Sequence, residues 1–94
     1  MRLVWTRAAL HDLAEARAWI AADSPNAAAG QVARIVAAVA KLIDFPEAGR
    51  IGRRVGTREL VIPRTPFLIA YRVKPDVVEV LRLLHGAKRW PGRF

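Results

Sequence analysis

Three runs rich in β-branched and aromatic residues dominate the second half of this chain. They read Gly-Thr-Arg-Glu-Leu-Val-Ile from Gly56, Pro-Phe-Leu-Ile-Ala-Tyr-Arg-Val from Pro66, and Val-Val-Glu-Val-Leu-Arg-Leu-Leu-His from Val77. Prolines at 63, 66 and 75 stand in the breaks between them, where a central strand cannot continue. Breaks this short leave an antiparallel meander as the economical reading. Arginines interrupt the apolar runs, and a strand arginine must reach water or a partner, because an unpaired buried charge is very costly.

Upstream the periodicity changes from two to nearly four. Leu3, Val4 and Trp5 form a short strand ended by Thr6, whose hydroxyl suits a helix N-cap. Leu10, Leu13, Ala16 or Arg17, and Ile20 then recur at helical spacing over residues 7–22. Ser24 as N-cap and Pro25 at the first helical position start a second helix over 25–44, with Val32, Ile35, Val36, Val39, Leu42 and Ile43 as its apolar stripe. Neither helix can bury its stripe alone. The predicted architecture is a single α+β domain over 1–94, ordered β-α-α-β-β-β, with the helix hairpin on one face of a four-stranded, mainly antiparallel sheet. Residues 46–56, with glycines at 49, 52 and 56 and arginines at 50, 53 and 54, read as a solvated loop.

The charge is lopsided. Residues 1–47 hold five basic and five acidic side chains, and residues 48–94 hold eleven against three, so the second half carries the whole net charge of +8. Such a field attracts a polyanion or an acidic protein, and a free-standing nucleic-acid-binding module is one reading of it. Without cysteine the chain has no disulfide, thiolate nucleophile or cysteine-bound metal. Neither a signal peptide nor ~18 consecutive apolar residues is visible, which predicts a cytoplasmic protein with no membrane partner.

Few residues offer chemistry. Ser24 is the only serine and sits at a predicted cap, which argues against a serine hydrolase. His11 and Glu15 are spaced i, i+4, but two ligands on a solvated helix face make a poor metal site; no metal or cofactor is expected. His85, Arg58, Arg72 and Arg89, with Glu47 or Glu59, would supply a proton carrier and phosphate clamps for phosphodiester cleavage. The competing reading pairs Arg58 with Glu59 or Glu79 and satisfies His85 through backbone. Tyr71 shares the register of Phe67, Ile69 and Val73 and reads as core. Trp90 beside Lys88 and Arg89 would either contact a partner or fold back over the sheet.

These residues resemble a known family. Pro-x-x-Gly-Arg at Pro46, Gly-Thr-Arg-Glu-Leu-Val-Ile at Gly56, Pro-Phe-Leu-Ile-Ala-Tyr-Arg-Val at Pro66, Leu-Leu-His-Gly-Ala-Lys-Arg-Trp-Pro at Leu83 and Trp-Thr-x-x-Ala-x-x-Asp-Leu at Trp5 are similar, in order, to the RelE/ParE superfamily of bacterial type II toxins. The resemblance implies the fold derived above and one of two activities: ribosome-dependent cleavage of messenger RNA, or poisoning of DNA gyrase. RelE-like members tend to carry an arginine where this chain has Leu68, and a tyrosine near the C-terminus, where it has His85, Trp90 and Phe94. The pattern Arg58, Glu59, His85, Gly86, Arg89, Trp90, Pro91 resembles the ParE-like branch, for which no hydrolytic residue set is implied. The resemblance further implies a cognate acidic antitoxin. Expected target contacts are Lys88, Arg89 and Trp90, in a tail lying outside the predicted cores; expected antitoxin contacts are Arg50, Arg53, Arg54, Arg58 and Arg72.

Overall fold

In the computed structural model, which describes residues 1–92 and 94, strand β1 (Arg2–Trp5) ends where the Thr6 hydroxyl accepts from the Ala9 backbone N–H at 3.1 Å, and α1 (Arg7–Asp23) begins there. Ser24 both closes α1, donating its N–H to the Ile20 carbonyl, and opens α2 (Pro25–Ala40), accepting from Ala27. One residue thus makes the hairpin corner, with Pro25 in the first turn, where its missing N–H costs no bond. A single turn of 3-10 helix, Lys41–Ile43, finishes the segment predicted as helix to 44.

Four further strands follow: β2 (Arg50–Ile51), β3 (Arg58–Val61), β4 (Phe67–Lys74) and β5 (Val77–His85). The sheet order is β1-β5-β4-β3-β2, antiparallel except where β1 runs parallel to β5. The sheet therefore has five strands, not four. The missed strand lies in the expected loop, where Arg50 and Ile51 pair with Glu59 and Arg58. Glycines and arginines in succession show no period-two apolar pattern, so propensity gives no warning of it. Its cause is polar: Glu59 is 3% exposed, and its carboxylate takes the Arg53 backbone N–H at 2.9 Å and two bonds from Arg50.

Both helices cover one face. Ala9, Ala16 and Ile20 of α1, and Ala28, Ile35 and Val39 of α2 with Leu42, pack in one cluster with Ile69, Tyr71, Val78 and Val80. The α1 stripe is narrower and smaller than the sequence suggests, since Leu10 is 53% exposed and alanines make much of the contact. By length and mean hydropathy of 1.2, Pro25–Ile43 would suffice to cross a membrane. Its Ala28, Ile35, Val39 and Leu42 are instead committed to the core. The other sheet face carries a smaller cluster of Leu68, Ala70 and Leu84, against which Trp90 packs. The tail lies across the sheet rather than beyond it, because Trp90 covers apolar surface that no helix reaches.

Candidate functional site

Tyr71, fully buried on β4, organises the basic half from the helix side. Its hydroxyl donates to the Pro46 carbonyl at 2.7 Å and accepts from the Gly49 N–H at 2.8 Å. Arg58, directly across from Tyr71 in the β3–β4 ladder, donates to the Gly49 carbonyl at 2.8 Å and to the Glu47 carbonyl at 3.4 Å. The Pro-x-x-Gly-Arg sequence is thus a strap tied to the sheet by one tyrosine, one arginine and, through Arg50, one carboxylate. Arg58 pairs with backbone carbonyls and not with Glu59 or Glu79; Glu59 holds Arg50 and Arg53, while Glu79 lies 3.4 Å from Arg72 and 3.7 Å from Lys74.

Burial raises the Tyr71 pKa above its ordinary value, against the opposing Gly49 hydrogen bond and the Arg58 charge. The folded state therefore keeps the proton longer than the unfolded chain, so this contribution to stability is intact below about pH 10 and is lost as pH rises through the folded pKa. Tyr71 is the only tyrosine, so ultraviolet titration of the phenolate reads it alone. The phenolate signal should rise above pH 10 together with loss of helical circular dichroism, and Tyr71→Phe should flatten the alkaline fall in urea midpoint. Ionisation near pH 10 with the fold intact would contradict this.

The residues proposed for phosphodiester cleavage are not gathered. His85 faces Phe67 and Arg58 faces Tyr71, four residues apart along β4, or roughly 13 Å at ~3.3 Å per residue. Arg72, one residue on from Tyr71, points to the opposite face and pairs with Glu79. Arg89 is exposed in the tail. His85 itself is engaged: its ring meets Phe67 and Trp19 edge-on at 5.5 and 6.1 Å, and its Nδ1 accepts from the Ala87 N–H at 3.1 Å. It lines an open groove of about 220 Å³ with Asp12, Glu15, Trp19 and Lys88.

The tail and the 52–57 turn form a second assembly. The Arg53 guanidinium carbon lies 3.6 Å from the centre of the Trp90 ring, and that of Arg54 lies 5.5 Å from the Phe94 ring. Arg54 also donates to the Pro91 carbonyl. Lys88, whose ammonium sits 4.8 Å over Trp19, and Arg89 are exposed and directly precede Trp90 in the chain. Of the expected antitoxin contacts, Arg50 and Arg53 are each 58% exposed and Arg72 49%, so pairing inside the chain leaves them reachable.

One ion pair had no clear sequence signal. Asp12 on α1 takes a two-pronged contact from Arg82, at 2.6 and 2.8 Å, and the Leu83 N–H at 3.1 Å. Helical phase puts Asp12 off the apolar stripe, and only its place in the Thr-x-x-Ala-x-x-Asp motif hints at a role. His11 and Glu15 form the expected exposed pair at 3.0 Å. Although ligand atoms of His11, Asp12 and Glu15 fall within 4.8 Å of one another, both Asp12 oxygens are already occupied.

Residues 3–90 match the model of the ParE toxin of the type II toxin-antitoxin system, parDE. Y4kP of Sinorhizobium fredii, described as a toxin, is 47% identical over 90 residues, which cover 96% of this chain and 93% of that protein. Toxin RelE2 of Caulobacter vibrioides is 34% identical over 87 residues, covering 93% and 97%. A chain from the solved chromosomal ParDE system of P. aeruginosa superposes with a TM-score of 0.80 at 33% identity, covering 90% of this chain and 95% of that one. This chain belongs to the family of ParE toxins of type II toxin-antitoxin systems.

Proposed function

We propose that this toxin arrests growth by binding DNA gyrase through Lys88, Arg89 and Trp90, acting as an inhibitory ligand that traps the enzyme on cleaved DNA and not as a catalyst. The observation that carries this reading is the anchored tail: an aromatic residue fixed on the sheet and directly preceded in the chain by two exposed cations offers the mix that concentrates binding energy at protein interfaces. The separation of His85 from Arg58, and of both from Arg72, supports the non-catalytic half of the reading. A cognate acidic antitoxin in the cytoplasm neutralises the toxin by engaging Arg50, Arg53, Arg54, Arg58 and Arg72. The basic charge of the second half favours such a partner, and a similar solved chain comes from a toxin–antitoxin system.

Charge reversal at the exposed pair is the direct test. Lys88→Glu with Arg89→Glu should raise the toxin concentration needed to block supercoiling by purified gyrase roughly tenfold or more, the equivalent of ~1.4 kcal/mol of lost contact. Helical content and antitoxin affinity should stay near wild type. Gyrase that is unaffected by wild-type toxin at concentrations well above those that stop growth would end the gyrase reading. Codon-linked cuts in translated messenger RNA that vanish in His85→Ala would put the ribosome in its place.

A further inference from the structure

We propose that Arg53 and Arg54 are positioning residues for the target-binding tail, so that the 52–57 turn and residues 88–91 form one functional surface. The inference rests on the gyrase reading for what the tail binds, and on geometry alone for how the tail is held.

Two consecutive arginines normally point away from one another along an extended chain; here a tight turn aims both at the tail. Gly56 adopts φ +77°, the Gly52 N–H donates to the Thr57 carbonyl at 2.9 Å, and the Thr57 hydroxyl donates to the Arg54 carbonyl at 2.7 Å. Gly52 has no room for a Cβ, which would stand 2.4 Å from Thr57 Oγ1. The turn is therefore held by its own hydrogen bonds and by close packing at Gly52. Glu59 then fixes Arg53 from below through its backbone N–H, with the Arg53 Nε at 3.7 Å, leaving the guanidinium stacked over Trp90. Arg54 reaches past it to the Pro91 carbonyl, one residue beyond that tryptophan.

Apolar burial alone is a weak anchor for this segment. Trp90 packs on the small cluster of Leu68, Ala70 and Leu84, and its docked position leaves its own Nε1–H and the Arg54 Nε–H buried without an acceptor among the described residues. Unsatisfied buried donors oppose docking, so the stacked and hydrogen-bonded arginines decide whether the tail stays down. With the tail down, Lys88 and Arg89 are presented from a fixed point. With it released, target binding must also order the segment.

The test reads the tail and the target separately. In full-length toxin carrying Trp5→Phe and Trp19→Phe, Trp90 is the only tryptophan. Against that background Arg53→Ala should shift its emission to the red and raise acrylamide quenching about threefold, with Arg53→Lys intermediate because an ammonium still stacks on the ring. Arg54→Ala should act in the same direction. Far-UV circular dichroism should be unchanged, since Arg50 still pairs with Glu59. Supercoiling inhibition by Arg53→Ala should require roughly twofold to fivefold more toxin, in line with loss of one solvent-exposed cation–aromatic contact. Unchanged emission and quenching in both alanine variants would overturn the clamp. Altered emission with undiminished gyrase inhibition would overturn the positioning role. A wild-type toxin without effect on gyrase would instead defeat the target reading, while the fluorescence arm still decides the clamp.

Discussion

Gly49→Ala is expected to destabilise the fold by about 3–5 kcal/mol, a large part of what a domain of this size has. A Cβ at residue 49 would stand 2.7 Å from both Cε1 and Oη of Tyr71 and 2.8 Å from the Glu59 carbonyl oxygen. Neither neighbour can retreat cheaply. Tyr71 is fully buried and bonded on both sides of its hydroxyl, and the Glu59 carbonyl is strand backbone. If Tyr71 moves, the Pro46 carbonyl and the Gly49 N–H lose their partner, at roughly 1–3 kcal/mol for each buried group. Gly30→Ala provides the contrast: it lies within α2, its added carbon would meet nothing closer than the Arg34 side chain at 3.7 Å, and it should stabilise by about 0.5–1 kcal/mol. Urea unfolding of both variants beside wild type measures the opposite signs. A Gly49→Ala protein within 1 kcal/mol of wild type would show that the strap can shift as a unit.

Gly49 also marks where reading from sequence stops. Helix positions were legible because capping is local: Thr6 and Ser24 act on N–H groups three residues away, and the stripe from Ile35 to Leu42 has its own period. The β3–β5 meander was legible because prolines and alternating apolar residues mark strands without reference to distant partners. The strap was not, since its glycine, proline and arginine acquire meaning only from Tyr71, Arg58 and Glu59, between 9 and 25 residues away. A glycine that makes room looks the same in sequence as a glycine that makes a turn.

The same distinction separates the two readings of the arginines. Positive charge in the second half favours an acidic partner, but charge alone cannot assign each guanidinium to its work. Arg58 ties down the strap, Arg50 compensates a buried carboxylate, Arg72 pairs across the ladder, and Arg53 and Arg54 close on the tail. Trp90 was read as either a partner contact or a residue folded back over the sheet, and it packs on Leu68, Ala70 and Leu84 although the tail was placed outside the predicted cores. Removing it should thus disturb the sheet as well as any contact with a target, which is why charge reversal at Lys88 and Arg89 is the cleaner functional test.

Asp12→Ala is the other substitution from which we expect a large loss, about 3 kcal/mol, and its logic lies at the sheet edge. Strand β1 covers β5 only from Val77 to Val80, so the later backbone groups of β5 face outward without a strand to pair them. Thr6 takes the Leu81 carbonyl through its hydroxyl at 2.9 Å, and Asp12 takes the Leu83 N–H together with the Arg82 fork. Without the carboxylate, that N–H loses its partner and a guanidinium only 23% exposed is stranded. Arg82 cannot escape by losing its proton, because a guanidinium stays charged far above neutrality even without the Asp12 hydrogen bonds that chiefly raise its pKa in the native protein. Asp12→Asn keeps an acceptor for Leu83 and should lose about half as much. Adding Arg82→Met to Asp12→Ala removes the stranded cation, so the double variant should be more stable than the sum of the singles by about 2 kcal/mol. Urea unfolding of the four proteins closes the cycle. Additive losses, with coupling under ~0.5 kcal/mol, would mean that water already serves Arg82 and that the pair contributes no more than a surface contact.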